Sequence, residues 1–177
     1  MLGAMTSAED PKPAWQTRRE IAPFTLSDDN VKSIVAMASH AVVSWVTRDS
    51  APSQAVMLYV VLDDLITVTS TTNRAKYHAW RRNPAASFCI WDPDSIGRQV
   101  TLRGTIDIVQ SDELLARFTE AFLARAMGGS PPSPERLAQE IATFAAPDRH
   151  MMQLHVDRVL THDLGALMAA ERAGRAD

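Results

Sequence analysis

A single cysteine, Cys89, in 177 residues leaves no disulfide partner within the chain. Stability must then come from packing, and a reducing cytoplasm is the expected compartment. No apolar run approaches the roughly 18 residues of a membrane-spanning helix. Residues 1–13 also lack the apolar centre of a signal peptide, so neither a membrane nor export is expected. Basic excess is missing too: 18 Lys and Arg stand against 21 Asp and Glu, a net charge of −3. That balance argues against a nucleic-acid partner, which selects a basic surface. Motifs for the common hydrolytic and metal chemistries are absent as well, with no G-x-S-x-G, H-E-x-x-H, C-x-x-C or P-loop lysine. His150 and His155, five residues apart in a predicted strand, point to opposite faces and do not share a metal.

What is present is a core-forming pattern, with 46% apolar residues in a length that suits one domain. Residues 1–24, with Pro11, Pro13 and Pro23, have no sustained period and are expected to form a flexible arm. The main domain is expected over 25–165 and a tail or short helix over 166–177. Ser27 precedes Asp28 and Asp29 and a stripe of Val31, Ile34, Val35 and Ala38, which predicts a capped helix. Ala41 to Thr47 and Ser53 to Leu62 predict a hairpin, and Asp63-Asp64 turns the chain into Leu65 to Ser70. Further strands are predicted over Ala85 to Trp91, Arg98 to Val109 and His150 to Leu160. Helices are predicted after Ser111, with Leu115, Phe118 and Phe122 inward, and after Ser133-Pro134, with Leu137, Ile141 and Phe144 as a buried stripe. Mostly consecutive strands with inserted helices predict an antiparallel barrel, because a doubly wound sheet would alternate strand and helix throughout. Cys89 reads as a core residue, and Trp45, Trp80 and Trp91 as core or interface. The apolar run Val56 to Leu62 needs cover on both faces, and a second copy of the chain is the expected cover.

The chemistry concentrates in Thr69-Ser70-Thr71-Thr72-Asn73-Arg74-Ala75-Lys76. A strand end, several hydroxyls, two cations and a helix start collect groups that bind an oxyanion. The alternative is a solvated basic face, since Arg81 and Arg82 follow.

The order strand, Arg-x-Lys turn, helix, Arg81-Arg82-Asn83-Pro84, strand, then Arg98-Gln99-Val100 and Gly104 resembles the split-barrel family. Its members include pyridoxamine-phosphate oxidases, which bind FMN, and reductases that use the deazaflavin F420. The resemblance implies a six- or seven-stranded antiparallel split β-barrel with helices, an α+β fold like that of FMN-binding proteins. It further implies a homodimer with the cofactor at the subunit interface. Carried over by position, Lys76 and Arg74 hold the phosphate-bearing tail, while Thr69, Ser70 and Thr71 supply the strand end. Gln99 matches the glutamine of the R-Q-V segment, and the backbone of Ala55, Val56 and Met57 lies along the ring. The oxidases carry further cations where this chain has Ala75, Gln54 and Tyr59, so the Arg74-Ala75-Lys76 arrangement is closer to the deazaflavin branch. The expected activity is F420-dependent hydride transfer to a small organic acceptor. The alternatives are an FMN-dependent oxidase or flavin reductase, and a noncatalytic flavin-binding or sensing module. No side chain is assigned as catalytic, solvent, Tyr59 and Tyr77 being the candidate proton sources.

Overall fold

The computed structural model describes residues 24–173. Seven strands form one antiparallel sheet: β1 (His40–Val46), β2 (Pro52–Leu58), β3 (Val60–Leu62), β4 (Leu65–Thr71), β5 (Ala85–Asp92), β6 (Ser95–Val109) and β7 (Arg149–Asp163). Among the described residues five helices accompany them: α1 (Asp28–Met37), α2 (Ala75–Arg82), α3 (Asp112–Ala126), α4 (Pro134–Phe144) and α5 (Leu164–Ala173). The three serine caps form as the sequence predicts, with Ser27, Ser111 and Ser133 accepting from the N–H of Asn30, Leu114 and Arg136. The expected arm lies outside the described residues apart from Phe24.

The strand order is β2-β1-β5-β6-β7-β4-β3. Its two ends, β2 and β3, are consecutive in the chain and separated only by Tyr59. The predicted strand Ser53 to Leu62 is therefore one strand broken by a bend, and through that bend the sheet curls round on itself as a split barrel. The break has a visible cause. The Tyr59 N–H turns to the Ser39 carbonyl at 3.1 Å, its hydroxyl donates to the Val35 carbonyl at 2.7 Å, and the residue is wholly buried. Arg125, at the end of α3, stacks over the Tyr59 ring at 5.4 Å and donates to the carbonyls of Ala36, Ala38 and Tyr59. Its charge thus also meets the C-terminal carbonyls of α1.

Alternation divides the strands. Val43, Trp45, Ile66, Val68, Phe88, Ile90, Leu102, Ile106, Met152 and Leu154 fill the barrel with Ile34 and Trp80. A smaller cluster, Val60, Leu62, Leu115, Phe118 and Met151, seats α3 against the outside. Two expectations are corrected. Cys89 is half-buried rather than core, because its neighbours Phe88 and Ile90 take the inward positions. Helix α4 buries none of its residues fully, and its stripe touches the body through Phe144, which meets Phe118 and Phe122 edge-on.

Candidate functional site

Between the end of β4 and the start of α2 the chain makes the turn that carries Arg74 and Lys76. Arg74 is the N-cap of α2 and supplies no side-chain cap. The Tyr77 N–H is taken by the Arg74 carbonyl, while the amides of Ala75 and Lys76 have no protein acceptor among the described residues. A helix start in that state attracts anions. Arg74 is exposed and Lys76 half-buried, and no carboxylate of the described residues lies within ion-pair distance of either. Burial, and secondarily the Arg74 guanidinium, hold the Lys76 ammonium below the ordinary lysine value. Two uncompensated cations beside free amides form a site that an anion would relieve.

The hydroxyls behave less uniformly than the spacing suggests. Successive strand residues face opposite ways, so Ser70 points inward and is buried while Thr69 and Thr71 face outward. Thr69 donates to the His150 carbonyl and receives Arg149 at 3.3 Å. Ser70 donates to the Thr71 carbonyl, and Thr71 to the Asn73 side chain. These groups shape the turn, and their remaining capacity is mainly as acceptors.

The bend at Tyr59 places the other predicted residues. Strand β2 is paired only on its β1 side, and β4 pairs with β3 only as far as Thr67. From Tyr59 onward two strand edges therefore stand open, one carrying Ala55, Val56 and Met57 and the other Thr69, Ser70 and Thr71. Open edges present backbone N–H and C=O groups to whatever lies against them. Ala55 and Met57 turn their side chains to the core, whereas Val56 faces outward and is 62% exposed.

Gln99 lies elsewhere in the same chain. It pairs with Trp91 and His162, and its side chain donates to the Ile96 carbonyl. Thr71 pairs with Arg149 near the other end of β7. Those two positions on β7 are separated by about 40 Å of strand contour. Thr69, Ser70, Thr71, Arg74 and Lys76 thus share the turn, Ala55, Val56 and Met57 lie on the open edge across the bend, and Gln99 is remote from the turn along β7.

An outward-facing row of paired residues crosses five strands: Val56 opposite Val42, Val42 opposite Cys89, Cys89 opposite Thr101, and Thr101 opposite Leu160. Val56 and Leu160 are exposed at its ends, and Gln99 lies two residues before Thr101 on the same face.

Sequence reasoning missed Asp148, just before β7, and His150 within it, which contact the turn. Thr72 donates its hydroxyl and its N–H to the Asp148 carboxylate, at 2.8 and 3.1 Å. His150 lies opposite Ser70 and stacks on Tyr77, ring centroids 5.0 Å apart. No local pattern could have announced this, because these partners are more than 70 residues away in the chain. Both tyrosine side chains are buried. The Tyr59 hydroxyl is pushed up to about 12 by burial, and Tyr77 is buried between His150 and His78.

Residues 27–163 match the family model described as pyridoxamine 5'-phosphate oxidase. The chain belongs to that family. Its fold recurs in a conserved hypothetical protein of Mycobacterium tuberculosis, 23% identical, with a TM-score of 0.72 over 82% of this chain and 90% of that one. It recurs in an F420 reductase, 24% identical, with a TM-score of 0.53 over 73% and 94% of the two chains. The heme storage protein HutZ of Vibrio cholerae, 13% identical, shares it with a TM-score of 0.57 over 77% and 96%. Identities this low carry the fold and nothing finer. No curated protein matches the sequence. Family and fold together assign this chain to the split-barrel oxidoreductases that bind flavin-type cofactors.

Proposed function

We propose that this family member is an F420-dependent oxidoreductase that transfers a hydride between reduced F420 and a small organic acceptor. The observation that carries the proposal is the turn itself. Arg74 and Lys76 are uncompensated around free helix amides, while the neighbouring positions that bear cations in the FMN oxidases hold Ala75, Gln54 and Tyr59. Tyr59 is committed to the Val35 carbonyl and the Arg125 guanidinium and offers nothing to a phosphate. Two cations and an open helix start suit an anionic tail, and the open edges at Ala55–Met57 and Thr69–Thr71 suit a flat ring.

A bound deazaflavin supplies the hydride chemistry. The chain's own residues have simpler duties: Arg74 and Lys76 bind the tail, the strand edges orient the ring, and the apolar surface beside Val56 excludes water. No acid or base side chain is needed for that division of labour. The remoteness of Gln99 from the turn supports a homodimer in which a second copy brings Gln99 to the site, with the Val56 to Leu160 row as the covered face. Gln99 also favours the second reading, an FMN-dependent oxidase or flavin reductase, since those oxidases share it.

Titration of the purified protein with F420 and with FMN decides between the two, and a clear preference for FMN overturns the first. Lys76→Ala removes a charge-assisted contact of about 1.5–3 kcal/mol. That corresponds to roughly a 10- to 150-fold rise in Kd, toward the lower end because the half-exposed ammonium is screened. An unchanged Kd refutes the assignment of the turn.

A further inference from the structure

The hydrogen bonds that reach the cofactor turn from outside converge on one place. Strand β4 leaves its ladder at Thr71, opposite Arg149. The next N–H, that of Thr72, is shared between the Asp148 carbonyl at 3.2 Å and the Asp148 carboxylate at 3.1 Å, and the Thr72 hydroxyl donates to the same carboxylate oxygen at 2.8 Å. Beyond that point the turn bonds to itself, Thr71 to Asn73, Arg74 to the Thr71 carbonyl and Tyr77 to the Arg74 carbonyl. Among the described residues, no other hydrogen bond ties positions 72–76 to another element.

We propose that Asp148 is a positioning residue for the anion site. From the start of β7 it clamps Thr72, so that the first turn of α2, with the Ala75 and Lys76 amides and the Lys76 ammonium, is held in one place before any ligand arrives. This inference rests on the cofactor site proposed above and assigns a residue outside it. The physical gain is preorganisation. A turn ordered in the free protein spares the ligand the conformational entropy of ordering it. The bonds from Thr72 also keep the Asp148 carboxyl below the usual carboxylate range, so the acceptor stays ionised at neutral pH.

The role separates geometry from charge. A negative charge near an anion site opposes binding, so the useful property of Asp148 is its ability to accept two hydrogen bonds. Asp148→Asn keeps a carbonyl oxygen that can accept both and loses the charge. Asp148→Ala loses both carboxylate bonds and leaves the Thr72 N–H only the backbone carbonyl of residue 148.

The test combines cofactor titration with hydrogen exchange on the full chain. Dissociation constants for F420 and FMN are measured for the wild type, Asp148→Ala and Asp148→Asn, and amide exchange is followed in each protein without ligand. For the cofactor that binds the wild type, Asp148→Ala raises Kd about tenfold, within the range for a support that never touches the ligand. Asp148→Asn stays within about twofold of the wild type or binds tighter, because the acceptor geometry survives. In the free proteins, faster exchange appears in Asp148→Ala at the hydrogen-bonded amides of Thr72, Arg74 and Tyr77 within positions 72–77, and protection is restored in Asp148→Asn. An unchanged Kd in Asp148→Ala, an Asn variant as weak as the Ala variant, or exchange that does not rise at 72–77 each overturns the proposal. If the wild type binds neither cofactor, the functional assignment fails, and the exchange comparison still decides whether Asp148 clamps the turn. Should Asp148→Ala lose the fold altogether, Thr72→Val removes only the hydroxyl arm. It is expected to raise exchange at the same amides, and no rise there refutes the clamp.

Discussion

Replacing Gly104 with alanine tests whether the pairing of β6 and β7 is as tight as it looks. At this point the register shifts: Arg103 pairs with Arg158 and Gly104 with Val156, so Asp157 is the extra residue of a bulge. A Cβ built on Gly104 would stand 1.9 Å from the His155 carbonyl oxygen, 2.8 Å from its carbon and 3.1 Å from the Val156 Cα. All three are backbone atoms, so no side chain can swing aside. Reaching even about 3.0 Å from the oxygen requires the strands to part by about 1 Å. Forcing such a shift costs about 1–3 kcal/mol, and weakening two ladder hydrogen bonds adds about 0.5–1.5 kcal/mol each. The sum, about 2–6 kcal/mol, is a large part of the roughly 5–15 kcal/mol that holds a domain together. At roughly 2–4 °C per kcal/mol for this size, thermal unfolding of Gly104→Ala is expected about 5–20 °C below the wild type. A midpoint within about 2 °C of the wild type would mean that the bulge is loose and that the close approach of His155 constrains nothing.

The remaining predictions concern charge and assembly. In the proposed site the Lys76 ammonium is the form that would bind, and its proton affinity is depressed by burial and Arg74. Cofactor affinity should therefore fall with rising pH, beginning below the ordinary lysine range. Lys76→Arg should abolish that alkaline limb, because a guanidinium stays charged throughout. A Kd that is flat up to the ordinary lysine value speaks against Lys76 as the tail ligand. Leu160→Asp places a charge at the exposed end of the outward row and should shift the protein to monomer by light scattering. A monomeric wild type, or a variant that remains dimeric, removes that row as the interface.

The cationic turn of the candidate site was legible because its parts are neighbours in the chain. Arg74, Lys76 and the strand end at Thr69–Thr71 span eight residues, so spacing alone brings them together. The three serine caps were equally local, each reaching an amide three residues on. Cys89 and α4 misled for a common reason. An apolar run or stripe says which residues prefer burial, but which face receives cover depends on the neighbours that arrive. Phe88 and Ile90 took the inward side of β5, and little besides Phe118 and Phe122 came to cover α4.

The split of the barrel lay beyond sequence reasoning. Ser53 to Leu62 has continuous strand propensity, and nothing within it marks Tyr59 as the bend. That bend exists because Val35 of α1, Ser39 of the link to β1 and Arg125 of α3 converge on Tyr59. The strand edges that part there, and the Asp148 clamp on Thr72, follow from the same long-range pairing. The sequence by itself determined the antiparallel class, the caps and the cationic turn, since those rest on periodicity and on contacts within a few residues. Tertiary structure decided where the strands separate, which apolar row is left exposed, and which hydrogen bonds reach the turn. Those depend on which distant strands become neighbours, and local spacing does not encode that choice.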